Sequence, residues 1–302
     1  MWFIPAIITV FAWGTADLFY KKGNDPSDSH SAIKTVIMVG FVMGAQAIFY
    51  MMLYKGVAYQ PYNMLLYLPV SAMYILSMGI GYIGLRYIEL SISSPISNSS
   101  GAVSAMLSFF VLGSSMKWIQ FVAIGMISVG IFLLSIFEKQ ETDQEIAVTG
   151  EKIDKKYQTS FLAILFPIFY CVIDGLGTFL DGYYLETKKI MSEDQALISY
   201  ELTFLIVALI MLVYLYVVKK DRIVLKNEKY RGLAAAFETF GQFFYIGAIA
   251  SNAIIVAPLI SSYSIVSVIW SRLFLKEKLS AKQYAVVGMI IIAIAILGFY
   301  DG

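Results

Sequence analysis

Apolar runs of about twenty residues, separated by short polar stretches, recur along nearly the whole chain. A bilayer core needs about 20 mainly apolar residues per helix. Reading for such runs between charges predicts ten spans, at 2–20, 33–54, 64–87, 93–113, 117–137, 160–181, 195–218, 231–251, 253–274 and 281–300. Only residues 138–159 form a long connection, and 10 of those 22 residues are charged, so this stretch reads as a solvated linker. The first span begins at Trp2 with no basic segment and no small-residue cleavage site before Lys21, so a removable signal peptide is not expected.

The two halves match at a constant offset of 163 residues. Gly14-Thr15 falls on Gly177-Thr178, Tyr82-Ile83-Gly84 on Tyr245-Ile246-Gly247, Pro95 on Pro258, Ser99 on Ser262, Gln120 on Gln283 and Gly125 on Gly288. Proline, glutamine and glycine in a fixed register point to a duplication. The expected fold is therefore all-α and integral to the membrane, with ten transmembrane helices. A first five-helix repeat covers 1–137, the linker 138–159, and a second five-helix repeat 160–302. Five is odd, so the second repeat lies upside down relative to the first, the inverted-repeat plan of many secondary transporters with the site at the repeat interface.

Composition agrees with the pattern and excludes several functions. Hydrophobic residues make up 59% of 302 and charged residues 14%, against about 45–50% and roughly 25% in soluble domains. A net charge of +1 gives no electrostatic case for nucleic acid. One cysteine, Cys171, excludes an internal disulfide and a cysteine metal cluster. The lone histidine, His30, sits in a polar turn near Gly23-Asn24 and reads as a solvated loop residue rather than a ligand. No phosphate-binding loop, nucleophile elbow or zinc motif is present. No metal, cofactor or enzymatic activity is expected, and transport energy would come from a gradient.

Lysine and arginine distribution sets an orientation. The connections after spans 1, 3, 5, 7 and 9 carry 18 of them and the other side 4, so the charge rule puts the former, linker included, in the cytoplasm and both termini outside. The plasma membrane is the expected location.

The stretch Ala257-Pro258-Leu259-Ile260, then Leu273-Phe274-Leu275-Lys276-Glu277-Lys278-Leu279-Ser280 and Gly288, resembles the EamA repeat of the drug/metabolite transporter superfamily, as does Trp13-Gly14 in span 1. The resemblance covers nearly the whole chain. It implies transport of small metabolites and termini in the cytoplasm, opposite to the charge count, which is followed here. Ser114 stands in the first half where Glu277 stands in the second, which points to a structural turn glutamate.

Charge inside a membrane is costly, so intramembrane acids are functional candidates. Asp17, Asp174, Glu201 and Glu238 lie well within spans, and no Lys or Arg lies comparably deep. With a 1.5 Å rise per residue, Asp174 and Glu238 sit roughly 5 Å from mid-span and Asp17 and Glu201 roughly 8–9 Å. These four are the candidate proton carriers. Helical spacing puts Tyr170, Asp174, Gly177 and Asp181 on one stripe, Glu238, Gln242 and Tyr245 on another, and Trp13 with Asp17 on a third. Asp181 and Glu277 read as helix-end groups. In spans 4 and 9 the polar runs after Pro95 and Pro258 offer Asn98 with Ser261 and Ser99 with Ser262 as opposed contacts, either to a ligand or between helices. Trp13, Tyr74, Tyr170 and Tyr245 could pack around a cation.

The expected substrate site is thus Trp13, Tyr74, Asn98, Ser99, Tyr170, Asp174, Glu238, Gln242, Tyr245, Ser261 and Ser262. The expected function is alternating-access transport of a small cationic or zwitterionic metabolite, an amine or amino acid, coupled to protons. A sugar transporter of the same fold, a lipid-headgroup carrier or scramblase and a non-transporting scaffold are the alternatives. The expected partners are a small-molecule substrate and membrane lipids, with a homodimer left open.

Overall fold

A computed structural model describes every residue except 1, 26, 27, 114–116, 150–162, 252–255, 257, 258, 278, 301 and 302. The expectations at Ser114, Ala257, Pro258 and Lys278, and in the later part of the linker, lie outside the described residues. Among those described there are helices and connections but no strands. In chain order the helices are α1 (Phe3–Gly23), α2 (Ser31–Tyr54), α3 (Tyr62–Gly84), α4 (Leu90–Ser97), α5 (Ser100–Leu112), α6 (Trp118–Thr149), α7 (Leu165–Thr187), α8 (Glu193–Val218), α9 (Lys229–Ser251), α10 (Leu259–Leu275) and α11 (Ala281–Tyr300). Among the described residues seven helical stretches are long and apolar enough to cross a membrane, α4 and α5 counting as one, and 118–130, 259–275 and 281–296 are shorter apolar helices.

Local chemistry explains several boundaries. The Ser192 side chain accepts from the Gln195 amide and Glu193 and Asp194 fill the first turn, so α8 starts on a cap with favourable charge. The Gln120 side chain accepts the Lys117 amide at the head of α6, and Gln283 accepts the Ser280 amide at the head of α11. These are the same positions 163 residues apart. Gly113 and Lys276, also 163 apart, both take a left-handed conformation that ends a helix, with φ of 67° and 59°. The predicted fourth span is broken. Pro95 lacks the amide that would continue α4's bonding, and the chain turns at Asn98-Ser99 before α5 begins. Helix α6 runs on past the apolar span through the first twelve residues of the predicted linker, as far as Thr149, because Glu, Lys and Gln are good helix formers.

Packing follows the duplication. The most extensive interface is α1 against α9, matched by α7 against α3; α2 pairs with α8, α6 with α11, and α4 with α10. An exchange of the two halves carries each of these pairings onto another or onto itself. The close approaches repeat as well. A Cβ on Gly14 of α1 would strike the Val266 side chain and the Tyr263 carbonyl, and a Cβ on Gly175 of α7 would strike the Val103 side chain and the Ser100 carbonyl. Val103 and Val266, like Ser100 and Tyr263, are 163 apart, but Gly14 and Gly175 are 161 apart, so α7 matches α1 two residues out of the register that set Gly14 on Gly177. Glycine at both points lets the helices touch backbone to backbone, as small residues do in membrane bundles.

The larger buried cluster joins α1, α2, α3, α7, α8 and α9 through residues such as Ala16, Met43, Tyr67, Tyr245, Leu197 and Phe204. A smaller one joins α4, α6 and α11 through Ile92, Ile96, Ala123, Ile127 and Ile290. Phe49, Leu53, Phe110, Phe132, Ile210 and Val217 project outward and are more than half exposed, an apolar exterior suited to lipid.

Candidate functional site

Helices α1, α3, α4, α7, α8, α9 and α10, with the start of α5, enclose one cavity in the middle of the bundle. About 90 Å³ of it is open to the centres of water molecules. One water needs roughly 10–15 Å³ by that measure, so the space holds several waters or a small metabolite. Asp17, Asp174 and Glu238 line it, and among the described residues no Lys or Arg does.

Each acid is held differently. Asp17 Oδ2 accepts Ser94 Oγ at 2.8 Å and Ser267 Oγ at 2.6 Å, which ties α1 to both α4 and α10. Asp174 accepts Ser77 Oγ at 3.4 Å and also faces Ser100. The Glu238 carboxyl has no hydrogen-bond partner among the described residues, and it shares the cavity with the charges of Asp17 and Asp174. All three are half-buried because their outer face is the cavity itself.

Aromatic rings form the walls. Trp13 packs against Tyr245 at 5.0 Å and Tyr263 at 5.7 Å between ring centres, and its Nε1 donates to the Glu238 carbonyl at 3.2 Å. Gly241 makes room for this, since a Cβ there would meet the indole ring. Tyr20 and Tyr82 stack in tilted fashion at 4.7 Å on another wall. Tyr74 and Tyr245 share a hydrogen bond of 2.8 Å between their hydroxyls.

The structure therefore brings Trp13, Asp17, Tyr74, Asn98, Tyr170, Asp174, Glu238, Gln242, Tyr245 and Ser261 to one cavity. It does not bring Ser99, Ser262 or Glu201 there. The Ser99 hydroxyl donates to the Pro95 carbonyl at 2.8 Å, and that of Ser262 donates to the Leu259 carbonyl. Both are spent within their own helical turn. Glu201 is fully buried on α8 with neither carboxyl oxygen hydrogen-bonded.

Sequence reasoning missed Tyr20, Tyr82, Tyr200 and Tyr263 in the walls, and Ser94 and Thr178 among the polar groups. It also misplaced Asp181. That residue is no helix-end group: it is fully buried, where it accepts from the Tyr67 hydroxyl and from Tyr74 at 3.3 Å.

Two charged clusters flank the cavity. At the face where α1 and α3 end, Lys34 Nζ lies 3.0 Å from Asp28 and 2.8 Å from Asp221, and His30 Nδ1 lies 3.0 Å from Asp221. His30, expected to be solvated, is thus engaged across the two halves. The hydrogen bonds from Lys34 and then His30 hold the Asp221 carboxyl well below the usual carboxylate range. Asp28, His30 and Asp221 cluster closely enough to suggest a metal site, yet the Lys34 ammonium already occupies the place a cation would take. Beside them Arg231 pairs with Glu228, Ser31 and Asp28. On the same face Lys21 donates to the Leu85 and Ile88 carbonyls, and Glu277 accepts the amides of Leu90 and Ser91, capping α4. This face is called the latch face below. At the opposite face Lys55 pairs with Asp194 at 2.8 Å and Tyr59 bonds Ser199 at 3.1 Å.

Comparison with known proteins agrees with this architecture. No curated protein matches the sequence. Solved structures share the fold: one crystal structure aligns with 98% of this chain and 96% of its own, with a TM-score of 0.62 and 12% sequence identity. The sequence pattern of the family described as EamA-like transporters matches residues 1–136 and again 164–299. With both halves matched, the chain belongs to the EamA-like transporter family of the drug/metabolite transporter superfamily.

Proposed function

We propose that the protein is a secondary active transporter whose ten transmembrane helices form two inverted five-helix repeats. The repeats rock around the central cavity and carry a small cationic or zwitterionic metabolite, an amine or amino acid, in exchange for or together with protons. The observation that carries this reading is the lining: three carboxyl groups in an aromatic-walled space with no lining Lys or Arg among the described residues. Such a space attracts cations, and its rings add cation–π attraction for an ammonium group. Glu238, the acid without a hydrogen-bond partner among the described residues, is the group freest to exchange a proton for a cargo ammonium. Asn98, Gln242 and Ser261 supply neutral donors and acceptors that orient the rest of the cargo. The lysine and arginine bias puts the latch face in the cytoplasm.

A thermal-stability panel of amines, amino acids, sugars and nucleosides on the purified protein tests the reading. A ligand at about 100 times its dissociation constant stabilises by roughly 2.7 kcal/mol when it binds only the folded state. Stabilisation by an amine or amino acid, abolished in Asp174→Asn and Glu238→Gln, is the expected result. A sugar that stabilises wild type and both variants equally would overturn the cationic reading.

A further inference from the structure

Beyond the cavity wall lies a fourth acid that the site above does not use. Asp181, on α7, is fully buried and does not line the cavity. One of its oxygens accepts the Tyr67 hydroxyl and the other the Tyr74 hydroxyl at 3.3 Å, both from α3, and Tyr245 of α9 joins the group through its hydrogen bond to Tyr74. Thr178, one turn earlier on α7, lies 3.4 Å from the Tyr74 hydroxyl. Tyr200 of α8 packs edge-on against Tyr74 at 6.0 Å. Among the described residues no Lys, Arg or His faces Asp181 within ion-pair distance. Its company is tyrosine from α3, α8 and α9, with Asp174 two turns back on its own helix.

Tyr74, Tyr245 and Thr178 line the cavity, whereas Tyr67 and Asp181 do not. A hydrogen-bonded path therefore runs from the cavity through the Tyr245 and Tyr74 hydroxyls to Asp181. The acid lies six residues, roughly 9 Å along the helix, from the end of α7 at the face opposite the latch. The matched contacts of Gly14 and Gly175 set α7 on α1 with an offset of 161, which puts Tyr20 where Asp181 stands. Tyr20 packs on Tyr82, and Tyr82 is 163 residues before Tyr245. The two ends of the cavity thus share a tyrosine frame; among the described residues Asp181 is hydrogen-bonded into one frame, whereas no acid is hydrogen-bonded to Tyr20 or Tyr82 in the other.

From this we infer that Asp181 is a proton-binding site of the transport cycle, separate from the cargo site and reached from it through Tyr74 and Tyr245. This inference rests on the proposed transport function and deepens it. Tyrosine hydroxyls donate as well as accept, so they suit both charge states of the acid. The carboxylate accepts their O–H bonds, and the carboxylic acid turns its own O–H toward a tyrosine oxygen. When the face opposite the latch opens, the Asp181 O–H bond breaks, the proton passes to water, and the carboxylate keeps its tyrosine donors. The reverse step reloads it.

Infrared difference spectroscopy of the full protein in liposomes, between acidic and alkaline buffer and with no cargo present, reads this directly. The wild-type spectrum should contain a carbonyl band of a protonated carboxyl group that is lost in Asp181→Asn and shifted in Asp181→Glu. The band should also shift in Tyr67→Phe, a variant that keeps the acid and covers the case in which Asp181→Asn does not fold. A wild-type spectrum reproduced unchanged by Asp181→Asn, or by Tyr67→Phe where the former does not fold, would overturn the assignment. Because the readout needs no cargo, failure of the ligand panel would leave it standing, and loss of this band would leave the panel standing.

Discussion

At the latch face Asp28, Asp221 and Glu228 each meet a cation, from Lys34 or Arg231. In the cavity Asp17, Asp174 and Glu238 meet serine hydroxyls, aromatic rings and one another. The side chains are of the same kind, and their company decides what they can do. A carboxylate locked to a lysine or arginine has its charge answered from within the protein and holds two loops together. A carboxylate facing an enclosed space with no resident cation leaves its charge to be answered by a proton or a cargo ammonium. The contrast separates a clasp from a candidate binding site.

The contrast is sharpest where removing the cation should be most damaging. Arg231 and Glu228 are each about 95% buried, and deleting one partner of a buried pair leaves an uncompensated charge. Arg231→Met should cost about 3–5 kcal/mol by denaturant or thermal unfolding, while the folded fraction still binds the amine proposed for the cavity. Loss of ligand binding at unchanged stability would put Arg231 with the site instead of the clasp. Glu201 tests the contrast from the other side. Among the described residues it has neither a cation nor a hydrogen-bond partner, and it does not line the cavity. Glu201→Met should raise stability by about 1–3 kcal/mol with transport intact. If transport were lost, burial away from the cavity would not be enough to rule an acid out of proton coupling.

Much of this arrangement was legible in the sequence because helices convert spacing into direction. The stripes through Asp174 and Tyr170, through Glu238, Gln242 and Tyr245, and through Trp13 and Asp17 all point where a 3.6-residue period sends them, and their lack of a neighbouring Lys or Arg marked the space as acidic. The duplication was legible too, since Gln120 and Gln283 cap their helices alike. What stayed hidden depends on rotamers and on neighbours distant in sequence. Ser99 and Ser262 face back to their own carbonyls, a choice that no residue pattern encodes. Tyr20, Tyr82 and Tyr200 read as well for an interface belt as for a cavity wall. Asp181 shares a stripe with Asp174, but its place near the end of the apolar run gave it the look of a helix-end group. Only α3's tyrosines, more than a hundred residues away, show it to be enclosed.

The central claim is that the cavity acids couple proton movement to a cationic or zwitterionic cargo. The direct measurement places the purified protein in liposomes, applies a gradient of the amine that stabilises it most, and follows lumenal pH with an entrapped dye. The account predicts a pH change driven by the wild-type protein and absent with Asp174→Asn and with Glu238→Gln. Proton movement at the wild-type rate in both variants would contradict it.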